Sequence, residues 1–202
     1  MTGLIAQTGR STVTGMLTGA GLARTWSHDR AHAFFSRASW NAEILGIVLA
    51  HLIVRTLLPP DVAVTVALDD TLFKRRGKKV FGAAWQHDGA AVGDKPVGRG
   101  NCFVVVGIIV ELPFLPRPVC LPVAARLWRP KTGPSKVELA AAIVRWLAVC
   151  LNRPLHVVTH AAYHGKALRH LQETISIITR LPANAVLYDL APPPTCSPSS
   201  AA

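Results

Sequence analysis

The segment Val64–Lys79, VTVALDDTLFKRRGKK, places two acids after an apolar run and five cations a few residues later. The β-branched run before the acids predicts a strand over residues 62–68. Asp69 and Asp70 would then end that strand at the rim of a sheet, where a metal ion or a substrate can reach their carboxylates. Short acidic side chains are also ordinary turn residues, and a cation run is also typical of a solvated hairpin, so both interpretations stay open here.

The closeness of both signs of charge favours a functional interpretation of this segment. Phosphoryl chemistry on nucleic acid uses acids to hold Mg²⁺ and cations to hold the phosphate backbone. Asp69 and Asp70 are therefore candidate catalytic residues. The candidate DNA-binding residues are the cations that follow them: Lys74, Arg75, Arg76, Lys78 and Lys79.

The overall charge predicts a polyanionic partner. The 202 residues include 22 Lys and Arg against 11 Asp and Glu, which gives a formal net charge of +11. This balance favours nucleic acid or an anionic membrane surface. The most apolar helix-like run, residues 44–58, is short and contains His51 and Arg55, so we expect no membrane span. The glycines of residues 93–100 do not form a P-loop, so we expect no nucleotide cofactor.

The spacing of the cysteines indicates the redox state of the compartment in which the protein works. Cys102, Cys120, Cys150 and Cys196 are widely spaced and form no Cys-x-x-Cys pair. This spacing predicts neither a zinc site nor a disulfide framework, and it favours a reduced, cytoplasmic protein.

Residue patterns divide the chain into a helical segment, a mixed region and a tail. Helical spacing prevails over residues 1–60, where Pro59 and Pro60 end the last helix. The predicted strands of an antiparallel meander follow at 62–68, 78–86, 101–112 and 118–128. After them come a helix over 135–151, a strand over 155–160, a helix over 166–172 and a strand over 175–181. This order predicts an α+β (α/β) fold with a mixed sheet over residues 61–190, and a disordered Pro/Ser tail over 191–202.

Four segments resemble a known family in their order along the chain. They read LDDTLFKRRGKKVFGAAWQHDG (68–89), GRGNCFVVVGIIV (98–110), HVVTHAAYHGKALRHL (156–171) and ITRLPANAVLYDL (178–190). They resemble the DDE-class transposases of bacterial insertion sequences, which are DDE superfamily endonucleases. The resemblance covers residues from about 4 to 190 and implies a ribonuclease-H-like core behind a helical N-terminal segment. The implied activity is DNA strand cleavage and transfer.

The resemblance also implies a cofactor, partners and a location. The cofactor would be Mg²⁺ or Mn²⁺, and the partner would be the double-stranded DNA of transposon ends. A homo-oligomer is a further implied partner, whereas a membrane is not. The protein would work in the bacterial cytoplasm, associated with the nucleoid.

In this family, three acids hold two Mg²⁺ ions, and the resemblance maps them onto this sequence. The first acid matches Asp69, which we take as the metal ligand, with Asp70 as the alternative because neighbours on a strand point to opposite faces. The second acid belongs to a segment resembling Asp-Ala-x-Tyr, and its position is held by His160, before Ala161. A neutral imidazole brings no negative charge, and Mg²⁺ prefers hard oxygen ligands, so Mg²⁺ binding should be weakened.

The third acid of the family has no good match. After His160 the only carboxylates are Glu173 and Asp189, and neither lies where the resemblance expects the third acid. We therefore expect a truncated, catalytically impaired remnant whose ribonuclease-H-like core is incomplete at the C-terminus. The alternative interpretation is a non-catalytic DNA-binding or interaction protein derived from a transposase.

Overall fold

A computed structural model of the chain describes residues 2–9, 12–91, 96–169 and 171–186. The described residues up to Ala42 form one compact unit, and those from Glu43 onward form a second. Three helices make up the first unit: α1 (Thr2–Ala6), α2 (Val13–Gly19) and α3 (His28–Ser36). Helix α4 (Ala42–Leu57), which the sequence pattern grouped with residues 1–60, belongs to the second unit except for its first residue.

The second unit is built on a six-stranded mixed sheet. Its strands are β1 (Val64–Lys74), β2 (Ala84–His87), β3 (Val97–Val110), β4 (Val119–Trp128), β5 (Leu155–Thr159) and β6 (Ile175–Thr179). The spatial order is β2-β3-β1-β5-β6, and β4 also pairs with β3. β1 is antiparallel to β3 but parallel to β5, and β5 is parallel to β6.

Helix α5 (Lys136–Leu151) connects β4 to β5 and covers the core face of the sheet. The side chain of Ser135 accepts a hydrogen bond from the backbone of Glu138, and the Glu138 carboxylate accepts one from the Ser135 backbone, which fixes where the helix begins. Asn152 ends it in the left-handed conformation, with φ of 48°. The chain then enters β5 in the parallel direction that a helical crossover permits.

The core lies between α5, α4 and one face of the sheet. Alternation along β1 buries Val64, Val66 and Leu68 in this core. Helix α4 packs against the same core and approaches β4 closely at Gly46, where a Cβ atom would lie 2.1 Å from the carbonyl oxygen of Val123. Only glycine permits that approach.

The predicted α+β class with a mixed sheet is confirmed, and the sheet order agrees with the ribonuclease-H-like core that the resemblance implies. After β5, a 3₁₀ turn (Ala161–Tyr163) and the short helix α6 (Lys166–Arg169) lead to β6. None of the helices in the described ranges is long and apolar enough to cross a bilayer. The tail predicted at 191–202 lies outside the described residues.

Two strand predictions need correction. β1 does not end before Asp69, because its pairing with β3 continues without a break from Val66 to Lys74. The run predicted as a strand over 78–86 is mostly loop, and only the short β2 forms there. In both cases the partner strand β3 decides where pairing occurs, and the local residue pattern does not reveal that partner.

Candidate functional site

The candidate site lies where β5 ends beside β1. The parallel pairing of these strands stops at Leu68 and Thr159, so Asp69 and Asp70 continue past the end of their neighbour. On their other side both acids still pair with β3, opposite Val105 and Val104. The acids therefore occupy an edge created by the end of the adjacent strand, not by the end of their own strand as predicted.

The structure brings the three predicted site residues together. One potential ligand atom each from Asp69, Asp70 and His160 lies within 4.8 Å of the other two. Each of the two neighbouring acids thus has a carboxylate oxygen near the imidazole. Within the described ranges, this ligand group contains no third carboxylate.

His160 is oriented by its own backbone turn. Its Nδ1 accepts a hydrogen bond of 3.1 Å from the amide of Ala162, which caps the 3₁₀ turn. A neutral imidazole that accepts at Nδ1 carries its proton on Nε2. That Nε2 lies 3.0 Å from Oδ1 of Asp69, and the same oxygen accepts the backbone amide of Asp70 at 2.7 Å. The nitrogen facing Asp69 is therefore a donor in this arrangement and has no free lone pair for a metal.

Asp70 accepts hydrogen bonds from three side chains. Lys136 donates to Oδ2 at 2.6 Å, Cys102 to the same oxygen at 3.2 Å, and Tyr163 to Oδ1 at 2.9 Å. The side chain of Asp70 is 20% exposed and that of Lys136 is 26% exposed. The ammonium of Lys136 also lies 4.8 Å from the ring centroid of Trp128, where the aromatic face favours a cation.

These contacts fix the protonation states around Asp70. Burial alone would raise the pKa of Asp70, but the hydrogen bonds from Lys136, Cys102 and Tyr163 outweigh it and hold this pKa below its ordinary value of 3.8. Burial lowers the pKa of Lys136, yet its hydrogen bond to Asp70 gives a net increase. Burial and the nearby carboxylate raise the pKa of Cys102 to about 11. The pKa of Tyr163 rises for the same reasons. The site therefore contains a carboxylate, an ammonium, a thiol and a phenol at neutral pH.

Sequence reasoning did not identify Lys136, Cys102 and Tyr163 as part of the site. Tyr163 had a usable signal, because it holds the tyrosine position of the segment resembling Asp-Ala-x-Tyr. Lys136 had none, since it lies 66 residues after Asp70 and reaches it only through the packing of α5 on the sheet. Cys102 lies two positions from the residue opposite Asp70, a placement that becomes visible once the register of β1 and β3 is known.

The predicted DNA-binding cations fall into two environments. Lys74 is the last residue of β1, and its Nζ lies 2.7 Å from Oδ2 of Asp88, which is only 3% exposed. Hydrogen bonding from Lys74 lowers the pKa of Asp88. Lys74 is therefore paired to a buried acid. The other four cations, Arg75, Arg76, Lys78 and Lys79, are exposed in the loop after β1 and form no ion pair within the described ranges.

Arg99 of β3 holds this loop, which we call the cationic loop (residues 75–79). Its guanidinium donates hydrogen bonds to the backbone carbonyls of Arg75, Gly77 and Lys78, at 3.4, 2.7 and 3.2 Å. The loop starts five residues beyond Asp70, about 17 Å along an extended strand. The acids and the cations therefore lie on one continuous strand and its following loop.

The potential metal ligands of the site, Asp69, Asp70 and His160, do not fit a pair of Mg²⁺ ions. Two-metal sites rely on clustered carboxylates with open oxygen positions. Here Asp70 already accepts from a lysine, a thiol and a phenol, and His160 presents a protonated nitrogen toward Asp69. Of the two carboxylates, only Asp69 has no cationic partner. The site therefore lacks the negative charge that two divalent cations need.

Comparison with known proteins identifies the family of the chain. No curated protein matches it significantly in sequence. The Drosophila P element transposase strand transfer complex shows 13% sequence identity and a TM-score of 0.25, over 80% of this chain and 47% of that chain. The chain thus spans about half the length of the structure it matches. A family model described as DDE superfamily endonuclease matches residues 1–201. Since that match extends over almost every residue, the chain belongs to the DDE superfamily endonucleases.

Proposed function

We propose that this chain is a transposase-type protein that binds the double-stranded DNA of transposon ends and is impaired in Mg²⁺-dependent strand cleavage and transfer. DDE superfamily endonucleases are generally dependent on divalent metal ions. One observation carries the proposal: Asp69 and Asp70 converge with an imidazole, His160, where the resemblance expects a second acid. Such a protein would act at the bacterial nucleoid.

The cationic loop supports the DNA-binding part of the proposal. Four exposed cations within five residues give a dense positive surface, and Arg99 orders the backbone that carries them. An ordered loop presents these charges to phosphates at a lower entropic cost than a mobile one. Exposed Phe81 and Trp85 follow the loop and add apolar surface beside the charges.

The salt dependence of DNA binding tests this part. Affinity for a duplex of generic sequence is measured over a range of salt concentrations for the wild type and for a variant with Arg75, Arg76, Lys78 and Lys79 replaced by Gln. Each lost phosphate contact reduces the slope of log K against log salt by about 0.9. A control variant replaces Arg117 and Lys131, which are exposed cations of two other loops. We expect a clearly reduced slope for the first variant only, and an unchanged slope would refute the assigned interface.

A second candidate function is a non-catalytic DNA-binding or interaction protein that occupies transposon ends or pairs with an intact transposase. The specific observation that favours it is the contact of both acids with protein groups, Asp70 with Lys136 and Asp69 with His160. The two candidates differ in one result. Residual DNA nicking that requires Asp69 indicates an impaired enzyme, whereas DNA binding without any nicking in Mg²⁺ or Mn²⁺ indicates the non-catalytic protein.

A further inference from the structure

Each acid of the site already contacts a hydrogen-bond donor of the protein, and the donor to Asp70 is also a counter-charge. Lys136 approaches Asp70 to 2.6 Å, and the protonated Nε2 of His160 lies 3.0 Å from Asp69. In a two-metal site, divalent ions would neutralise such clustered carboxylates. Here Lys136 supplies one positive charge, and His160 donates a hydrogen bond without adding charge.

We propose that Lys136 is a built-in counter-cation of Asp70 that, together with His160, keeps divalent metal ions out of this site. The inference deepens the proposed function and rests on it, since it names the residues that make the site unfit for metal. It assigns to Lys136 a role that its position in the sequence does not suggest.

Lys136 is held in place from several sides. Its ammonium lies between the Asp70 carboxylate and the ring of Trp128, at 2.6 Å and 4.8 Å. Lys136 is the first residue of α5, and Ser135 and Glu138 cap this helix through reciprocal hydrogen bonds. The helix in turn packs on the core. The ammonium is therefore a fixed feature of the fold, unlike the end of a solvated lysine.

The charge of Lys136 opposes metal binding directly. Asp69, Asp70 and Lys136 together carry a net charge of minus one, because a single lysine offsets one of the two carboxylates. A divalent ion bound to Asp70 would also lie close to the ammonium, and like charges at such separations repel strongly in a partly buried site. Removal of the ammonium charge should therefore increase metal affinity.

Mn²⁺ binding in a matched series of variants tests this inference without any measurement of activity. The protein is titrated with Mn²⁺, and the concentration of free Mn²⁺ is measured by electron paramagnetic resonance. All variants carry His160→Asp, which supplies a second-acid carboxylate, and differ only at position 136, as Lys, Gln or Arg. We expect Gln to bind Mn²⁺ roughly 10- to 100-fold more tightly than Lys, because one positive charge beside the bound ion is removed. Arg, which keeps the charge, should bind as weakly as Lys.

Two further measurements test the same inference. Adding Asp70→Asn to the Gln variant should abolish the gain, because the released carboxylate is the expected ligand. In the wild type, Mn²⁺ should not raise the melting temperature, and this holds as a test even if the Gln variant fails to fold.

Equal Mn²⁺ affinity for Lys, Gln and Arg would overturn the inference, as would saturable Mn²⁺ binding to the wild type that depends on Asp69 and Asp70. The proposed function is refuted by a different result, namely that the wild type does not bind DNA. DNA binding measured on the same samples therefore distinguishes the two failures.

Discussion

Asp69 and Asp70 are adjacent in the sequence but have different surroundings. Asp70 is partly buried and accepts from Lys136, Cys102 and Tyr163, whereas Asp69 is exposed and lies beside His160. Alternation along β1 explains the difference, because Asp70 continues the core face and Asp69 the opposite face. The half-buried acid thus contributes to stability, and the exposed acid is the one that a ligand can reach.

The pair of Asp70 and Lys136 should make stability depend on pH. The folded pKa of Asp70 lies below its ordinary value of 3.8, so the contribution is present at neutral pH and is lost as pH falls through the folded pKa. We expect Asp70→Asn to lower the free energy of unfolding by about 1–3 kcal/mol at neutral pH, because Lys136 loses its anionic partner. The difference between wild type and variant should shrink below about pH 4. Urea unfolding between acidic and neutral pH measures it, and a difference independent of pH would contradict the assigned pairing.

At the scale of elements, β1 and α4 show how neighbours decide structure. The hydrogen-bonded partner β3 extends β1 through two acids to Lys74, and Lys74 then pairs with buried Asp88. Helix α4 is positioned by the close approach of Gly46 to Val123. The pairing of β1 with β3 and the approach of Gly46 to Val123 each join segments that are distant in the sequence.

Gly46→Ala should destabilise the protein although alanine is a better helix former. The added Cβ would lie 2.1 Å from the carbonyl oxygen of Val123, so α4 or β4 must shift. Overpacking of this kind costs about 1–3 kcal/mol, which exceeds the gain of about 1 kcal/mol in helix propensity. Chemical denaturation measures the change. Gly89→Ala serves as the control, since a Cβ there meets no atom within 4 Å, and equal effects of the two substitutions would refute the packing argument.

Lys74→Gln should affect stability more than DNA binding. Its ammonium contacts buried Asp88, so the substitution removes the ionic partner of that acid and should lower the melting temperature. Arg76→Gln, at an exposed position of the cationic loop, should leave the melting temperature unchanged and reduce the salt dependence of DNA binding. The opposite pattern would show that Lys74 belongs to the DNA interface.

Local signals predicted the helix ends better than the strand ends. Pro59 and Pro60 predicted the end of α4, because proline acts through its own backbone, and the helix predicted over 135–151 matches α5 closely. The extension of β1 could not be predicted, since acids and cations are poor strand formers and only the pairing with β3 keeps them extended. His160 was predicted beside the first acids, yet the donors to Asp70 depend on tertiary packing.

At the scale of the whole molecule, a strong positive charge coexists with exposed apolar surface. The chain carries a formal net charge of +11, and Val48, Leu49 and Leu52 on α4 are exposed in the described structure. The charge favours binding to DNA and opposes self-association at low salt. The apolar side chains favour association once salt screens the charge.

The expected homo-oligomer should therefore form more readily as salt concentration rises. Sedimentation velocity at low and high salt measures the assembly state. Leu52→Lys should weaken association, because it places a charge within the exposed apolar row of α4. A monomer at every salt and protein concentration would contradict this prediction.

The most direct test of an impaired transposase-type protein is nicking of supercoiled plasmid in millimolar Mg²⁺. Wild type and Asp69→Asn are compared at equal concentration, under salt conditions in which both bind the DNA. Because His160 stands at the second-acid position and Lys136 offsets Asp70, we expect no nicking by the wild type above the level of the variant. Mg²⁺-dependent nicking by the wild type that Asp69→Asn abolishes would contradict this expectation and show that the site assembles a functional metal centre.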